Sequence, residues 1–231
     1  MKQNKYEMVA WDVDTQRDFM EGIEVNGYAG KLALPNAMEI ENNLSILTKY
    51  LREKNIAILG SVDWHNKDAK EFAENPDFMR TFPQHCVKNT YGAQNIDATK
   101  KLNPMYIDWD RIEGLNGLIE KVRKHDGETI FRKDDFDVFR VDRDGIGNPY
   151  ARAVVKELGI KKAFVYGVAT DVCVDYAVEG LRRLGVEVYA IKDCMRGINE
   201  ENIKAKINNW QQGINPAKIV RLEEILEGKV N

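Results

Sequence analysis

Residues 165 to 174 carry a buried strand directly into a helix, and they read Val165-Tyr166-Gly167-Val168-Ala169-Thr170-Asp171-Val172-Cys173-Val174. The first four are apolar or small, as in a strand buried on both faces, and a helical pattern follows over about 171–184. Gly185 comes after that pattern, at a position where helices commonly end. A strand that turns at once into a helix is typical of an α/β protein with a parallel sheet.

The alternation of strand and helix continues on both sides of this unit. Strands are predicted near 6–14, 56–62, 128–132, 163–168, 186–191 and 217–221, and helices near 37–54, 114–124, 149–158, 171–184 and 199–210. Residues 66–108 lack a long periodic segment, and a connection of this length is usually functional. The pattern favours a parallel sheet flanked by helices, with ligands at the carboxyl ends of the strands.

The composition is that of a globular protein. The chain has 231 residues, 43% of them hydrophobic, and 34 Lys and Arg against 37 Asp and Glu give a net charge of −3. We expect one domain over residues 1–231, no nucleic-acid partner because no basic field is present, and no membrane passage because the apolar runs are short. The first residues hold no apolar signal segment, so we expect a cytoplasmic protein with three reduced cysteines.

Cys173 is the candidate nucleophile, because it stands in the first turn of the helix that follows the strand. Unpaired amides and the helix dipole at that end favour the thiolate, which attacks carbonyl carbon, and the same amides can bind an oxyanion. The alternative is a packing role, since free cysteine is among the most buried residue types. Cys86 and Cys194 lack this context, and we expect both to be packing residues.

Two charged residues follow other predicted strands. Asp14 comes after the apolar segment that begins near residue 6, and Lys133 comes after the strand near 128–132. Because parallel strands end at the same edge of a sheet, both side chains can meet Cys173, with Asp14 moving a proton and Lys133 acting electrostatically. Alternatively, both are ordinary turn or surface residues.

Histidine is scarce, and two of the three histidines stand where a metal could be bound. Strand alternation puts Asp63 and His65 on one side at a strand end, and His85 in the long irregular segment can supply a third ligand. The alternative for the Asp63 and His65 pair is a hydrogen-bonded turn. Phe19 and Phe82 can wall a flat substrate, although a buried core is the commoner place for Phe.

Taken together, these motifs resemble those of the isochorismatase-like cysteine hydrolases. The segments that carry the resemblance, between about residues 8 and 200, are Asp14-Thr15-Gln16-Arg17-Asp18-Phe19, Asp63-Trp64-His65, Pro83-Gln84-His85-Cys86-Val87, Lys133 and 167–174. The resemblance implies a three-layer α/β/α sandwich with a parallel sheet of about six strands. It also implies a triad in which Cys173 is the nucleophile, Asp14 the general base and then acid, and Lys133 the electrostatic partner.

Further site features come from the resemblance alone. It implies a cis peptide at Val168-Ala169 that turns the amides of Ala169 and Cys173 toward an oxyanion, and a divalent ion on Asp63, His65 and His85. We expect zinc, with manganese or iron as the other choices. Relatives often have a further His where this chain has Ala69, so Glu71 is the nearest carboxylate that can replace it, with Glu74 as the second choice.

The resemblance is greatest to the nicotinamidases of this family. It implies hydrolysis of nicotinamide or a similar small carboxamide to the acid and ammonia through a thioester. The alternatives are a ureido or N-carbamoyl amidohydrolase, an isochorismatase-like hydrolase of another small substrate, and a ligand-binding module without catalysis on the same fold. Relatives are often homo-oligomers, and we expect the same of this chain.

Overall fold

Seven parallel strands form one sheet in the computed structural model, which describes residues 5–22, 27–110, 114–141 and 147–230. The strands are β1 (Met8–Val13), β2 (Ala57–Asp63), β3 (Met105–Ile107), β4 (Thr129–Lys133), β5 (Lys162–Val168), β6 (Glu187–Arg196) and β7 (Lys218–Val220). Their order across the sheet is β3-β4-β2-β1-β5-β6-β7, and every neighbouring pair is parallel.

Helices cover both faces of the sheet. They are α1 (Arg17–Met20), α2 (Glu41–Glu53), α3 (Leu115–Lys124), α4 (Ala151–Glu157), α5 (Cys173–Arg183), α6 (Glu200–Trp210) and α7 (Leu222–Leu226). Two short 3₁₀ helices span Ala37–Ile40 and Asp97–Thr99. No helix within these described ranges is long and apolar enough to cross a membrane.

Alternation along the central strands builds two apolar layers. In β1, Trp11 packs with α3, α4 and α5, whereas Ala10 faces the layer formed with α1, α2 and α7. In β5, Val165 belongs to the first layer and Phe164 to the second. Strands buried on both faces read as continuous apolar runs, which explains the sequence of β5. The predicted three-layer α/β/α sandwich is confirmed.

The sheet has one more strand than the six predicted. β3 lies within 66–108, where the sequence predicts no regular element, and Met105 pairs with Thr129 of β4. This strand has three residues, follows Pro104 and lies at the edge of the sheet. Such a short segment cannot show a period in the sequence, so only the pairing with β4 defines it.

The order of the strands positions the site. From β1 the chain forms β2, β3 and β4 toward one edge of the sheet. After β4 it crosses to β5, which pairs with β1 on the side opposite β2. The carboxyl ends of β4, β2, β1 and β5 are therefore neighbours at the point where the direction of winding changes. Open α/β sheets bind ligands in the crevice at such a point.

Candidate active site

Cys173 is the first residue of α5, and its side chain is buried near the end of β5. The connection begins at Gly167, whose φ is +118°, a backbone conformation that favours glycine. A Cβ at Gly167 would lie 2.0 Å from the carbonyl oxygen of Val13, so glycine also allows β1 and β5 to approach each other here. The Val168–Ala169 peptide is cis, as the resemblance implies.

Asp14, Lys133 and Cys173 converge at this edge of the sheet. Lys133 Nζ lies 2.9 Å from Asp14 Oδ2 and 3.7 Å from Cys173 Sγ. Ser61 Oγ donates to Asp14 Oδ1 at 2.8 Å, which fixes the carboxylate from the side of β2. Asp14 and Lys133 are fully buried, so their opposite charges interact in a medium of low dielectric constant.

Burial and charge set the protonation of these three groups. Burial raises the pKa of the Cys173 thiol well above its ordinary value, although Lys133 acts in the opposite direction. Burial would lower the pKa of Lys133, but Asp14 and Asp63 hold it well above the usual range. The amine is therefore an ammonium, and the sulfur of the free protein keeps its proton. The position of Cys173 at the helix start favours a thiolate, whereas burial favours the thiol, so a base beside the sulfur assists its ionisation.

Asp14 is placed to be that base. Burial raises the pKa of its carboxyl group, and Lys133 opposes this increase. A carboxylate of raised pKa binds a proton more readily than an exposed aspartate and can still be ionised beside an ammonium. Asp14 and Cys173 both lie beside Lys133 Nζ, which places the carboxylate near the thiol as a proton acceptor.

Two backbone amides can serve as oxyanion donors. In the part of the chain that the structure describes, the N–H groups of Ala169 and Cys173 donate to no protein acceptor, whereas those of Val174 and Tyr176 in α5 do. Val174 N–H, for example, donates to the carbonyl oxygen of Ala169 at 3.0 Å. Free amides near a nucleophile at a helix start can stabilise negative charge on oxygen.

The four predicted metal ligands also come together. His65 Nε2 lies 3.6 Å from Asp63 Oδ2 and 3.4 Å from Glu71 Oε1, and His85 Nε2 lies 3.7 Å and 3.4 Å from the same two oxygens. His65 Nε2 and Glu71 Oε1 are buried without a hydrogen-bond partner among the described residues. Donor atoms about 3.4 Å apart suit a tetrahedral ion with bonds of about 2.1 Å.

The remaining ring nitrogens orient the two histidines. His65 Nδ1 lies 2.5 Å from Asp134 Oδ1, and His85 Nδ1 lies 2.9 Å from the carbonyl oxygen of Pro83. A hydrogen bond from Nδ1 leaves the lone pair of Nε2 free for a metal. The chemistry of these donors, two imidazoles and two carboxylates, fits a divalent ion such as zinc.

The electrostatics of this cluster also favour a cation. Against the opposing effect of burial, Asp134 and Asp63 raise the pKa of His65 to about 10. Burial would raise the pKa of Asp63, but Lys133 holds it well below the usual range, so its carboxylate stays ionised. Lys133 contacts Asp63 directly and therefore links the cluster to the Asp14 and Cys173 pair.

A cavity of about 490 Å³ opens over these groups. Cys173, Asp63 and His85 line it, together with Phe19 and Phe82, the two aromatic residues that the sequence suggests as walls. Phe136, which the sequence analysis does not single out, also lines the cavity, and its ring packs edge-on against Phe82 at 5.6 Å between centroids. The site can thus hold a flat, partly apolar molecule.

Several residues of the site escape the sequence analysis. Gln16 Nε2 donates to the carbonyl oxygen of Asp63 at 2.8 Å, and its Oε1 accepts the N–H of Asp63 at 2.7 Å. This side chain therefore fixes the carboxyl end of β2, where the proposed metal ligand Asp63 lies. Asp134 and Ser61 support His65 and Asp14 in the same way. The sequence holds one signal for two of these residues, since Asp134 directly follows Lys133 and Gln16 lies two positions after Asp14.

Neither of the other two cysteines lines the cavity. Cys86 and Cys194 are fully buried in the apolar layer formed with α2. Burial raises the pKa of both thiols. Their positions agree with the packing role expected from the sequence.

Comparison with known proteins identifies similar chains. The family model described as "Isochorismatase domain" matches residues 108–219. The chain is 27% identical over 199 residues to a nicotinamidase of Escherichia coli (strain K12), covering 81% of this chain and 82% of the relative. It is 24% identical over 204 residues to a nicotinamidase/pyrazinamidase of Mycobacterium tuberculosis (strain ATCC 25618 / H37Rv), covering 86% and 91%.

Solved structures share the fold. The pyrazinamidase of Pyrococcus horikoshii, in complex with zinc, has a TM-score of 0.66 at 24% identity and covers 93% of this chain and 99% of its own. PnC1 of L. infantum, in complex with nicotinate, has a TM-score of 0.68 at 18% identity and covers 96% of each chain.

Proposed function

We propose that this isochorismatase-like protein is a metal-containing cysteine amidohydrolase that converts nicotinamide, or a similar small carboxamide, to the acid and ammonia. The family predicted from the sequence motifs is confirmed by the matched isochorismatase domain and the two nicotinamidase relatives. The proposal rests on the convergence of Cys173, Asp14 and Lys133 from three strand ends at one cavity.

The first half of the reaction is acyl transfer to sulfur. Asp14 takes the thiol proton of Cys173, and the thiolate attacks the amide carbon. The ammonium of Lys133 compensates the charge that moves between sulfur and carboxylate. As the tetrahedral intermediate forms, the amides of Ala169 and Cys173 donate to its oxygen. Asp14 then gives its proton to the leaving nitrogen, the C–N bond breaks, and ammonia leaves a thioester on Cys173.

The second half returns the protein to its starting state. Asp14 is again a carboxylate and takes a proton from a water molecule, whose oxygen attacks the thioester carbon. The same two amides donate to the oxyanion, and the C–S bond breaks as the sulfur regains a proton. The products are the free acid and the resting thiol, so one amide and one water give one acid and one ammonia.

The metal site is proposed for Asp63, His65, His85 and Glu71. A divalent ion held there would supply a Lewis acid for a ring nitrogen or a water molecule. The zinc complex of the Pyrococcus horikoshii relative supports zinc as the first choice. The contact between Lys133 and Asp63 ties the position of the amine to this cluster, so disturbing one group is expected to disturb the other.

The substrate class is supported by the walls and by the relatives. Phe19 and Phe82 offer apolar faces to a flat ring. The curated relatives are a nicotinamidase and a nicotinamidase/pyrazinamidase, and the L. infantum structure holds nicotinate. A planar ring that carries a primary carboxamide fits this combination of flat walls and a nucleophile at the base of the cavity.

Release of ammonia by purified protein tests the proposal. Wild-type protein with zinc is expected to hydrolyse nicotinamide, whereas Cys173→Ala should lose activity by more than about a thousandfold, because the covalent step needs the sulfur. Cys194→Ala is the matched control, since it removes a buried thiol remote from the cavity. Activity of Cys173→Ala at the wild-type rate would contradict the mechanism.

A substrate panel separates the alternatives. Nicotinamide and pyrazinamide represent carboxamides, and N-carbamoyl compounds represent the ureido alternative. Preference for an N-carbamoyl compound would keep the triad and change the substrate class. Binding of these compounds with no turnover of any of them would support a ligand-binding module instead.

A further inference from the structure

The cavity extends outward beyond the reacting groups to a ring of exposed apolar side chains. We define the outer rim as Phe78, Met79, Tyr176 and Ile198, all of which line this cavity. Their exposed fractions are 63%, 82%, 42% and 56%. Large apolar side chains left open to solvent at one cavity mouth indicate a surface that binds an apolar group.

A tight turn holds one side of the outer rim. Asp77 Oδ1 accepts the N–H of Met79 at 2.9 Å and that of Thr81 at the same distance. Phe78 has a φ of +56°, which a bulky residue rarely adopts, so the surrounding hydrogen bonds must maintain it. Phe82, just after the turn, donates its N–H to the carbonyl oxygen of Glu71 at 2.7 Å. The turn is thereby attached to the proposed metal site.

The opposite side of the outer rim is also fixed. Asp171 Oδ1 accepts the N–H of Ile198 at 2.8 Å, and its Oδ2 accepts that of Asn199 at 3.0 Å. Lys206, another charged residue that lines this cavity, lies 2.6 Å from Asp175 Oδ2. Because both lining charges already have partners, this end of the cavity favours a neutral group over an ion.

We propose that the outer rim binds a neutral alkyl or aryl extension of the substrate, whose carboxamide end lies at Cys173. This inference rests on the proposed function and narrows its substrate class to extended carboxamides. A cavity of 490 Å³ lies within the range of about 300–1,000 Å³ that holds drug-sized ligands, whereas nicotinamide is a single ring. The outer rim is held in place before binding, so little ordering is needed when an apolar group enters.

The experiment compares nicotinamides that carry hydrogen, methyl, butyl or phenyl on the ring carbon meta to the carboxamide. For each protein, kcat/KM for ammonia release is divided by the value for unsubstituted nicotinamide. In wild type this ratio is expected to rise to about tenfold for the phenyl compound, because apolar surface leaves water on binding. Met79→Ser and Ile198→Ser should lower the ratio to near one.

Ile214→Ser is the matched control for Ile198→Ser. Ile214 is 97% exposed and does not line the cavity, so the ratio should keep its wild-type value. A wild-type ratio at or below one, or a ratio unchanged in Ile198→Ser, would overturn the inference while leaving nicotinamide hydrolysis intact. Sedimentation of the same proteins tests another occupant: an oligomer that dissociates in Ile198→Ser would show that a second copy covers the outer rim.

Binding of the product acids keeps the two proposals separate. Calorimetry compares nicotinic acid with its phenyl-substituted form on wild type and Ile198→Ser. If no amide is hydrolysed, the proposed function fails. The outer rim would still be supported as an apolar subsite if the wild-type protein, but not Ile198→Ser, bound the phenyl-substituted acid more tightly than nicotinic acid. Equal affinity of the two acids would overturn the subsite as well.

Discussion

Replacing Asp134 by Ala is expected to weaken zinc binding by about 10- to 100-fold. Asp134 Oδ1 lies 2.5 Å from His65 Nδ1, on the edge of the ring away from the proposed ligand atom Nε2. The carboxylate fixes the tautomer and the direction of this ring. Without it, the ring can rotate and Nε2 is less basic, so each zinc ion is held less tightly.

The expected effect on stability follows from this loss of affinity. With zinc in excess, each tenfold loss of affinity removes about 1.4 kcal/mol from the free energy of unfolding. Unfolding entropy of about 2.1 cal/mol/K per residue, over 231 residues, gives about 0.5 kcal/mol/K. The increase in Tm produced by zinc should therefore be smaller in Asp134→Ala by about 3 to 6 °C.

Two measurements check this prediction. Competition with a chromophoric chelator gives the Kd for zinc, and calorimetry with zinc or with EDTA gives the change in Tm. Asp108→Ala is a matched control, because its side chain is 26% exposed against 29% for Asp134 and its 2.8 Å partner is Arg132 rather than a histidine. Equal zinc affinity of Asp134→Ala and Asp108→Ala would refute the assigned role of Asp134.

Four further variants have expected outcomes. Asp14→Asn should lower kcat for ammonia release by about 10²- to 10⁴-fold with folding retained by circular dichroism, because the thiol loses its base; a wild-type kcat would exclude this role. Lys133→Met removes the buried ammonium that contacts both Asp14 and Asp63 and should lower the free energy of unfolding in urea by about 3–5 kcal/mol; no loss would mean the ion pairs contribute little. In Gly92→Ala the new Cβ would lie 2.2 Å from the buried carboxylate of Asp18, so the free energy of unfolding is expected to fall by about 1–3 kcal/mol. Gly117 lies in α3 with open space around it, so Gly117→Ala should instead raise the free energy of unfolding by up to about 1 kcal/mol. Equal changes in the two alanine variants would contradict the packing around Asp18.

Much of the fold could be predicted because the central strands are buried on both faces. β5 is a continuous apolar run that ends in small residues before α5, so its period and boundaries are visible locally. β3 could not be predicted, because three residues at a sheet edge have no period and depend on pairing with β4. The same reasoning covers the site: strand ends identify Asp14 and Lys133, but a supporting side chain such as Gln16 is recognised only by its contacts.

The ionisation of Cys173 shows a different kind of limit. Its place at a helix start, which favours a thiolate, is visible in the sequence. The extent of burial is not, and burial raises the thiol pKa well above its ordinary value. The need for Asp14 as a base therefore emerges only when the surroundings of the sulfur are known.

The residues alone determined the α/β alternation, the strand-to-helix unit around Cys173 and the identity of the groups able to react or bind a metal, because these depend on neighbours within a few positions along the chain. The tertiary structure decided which of those groups meet. The order β4-β2-β1-β5 brings together Lys133, Asp63, Asp14 and Cys173 across more than a hundred residues of chain. It also decided the outer rim, because a cavity wall built from separate turns and a helix exists only after the sheet and its two helical layers have packed.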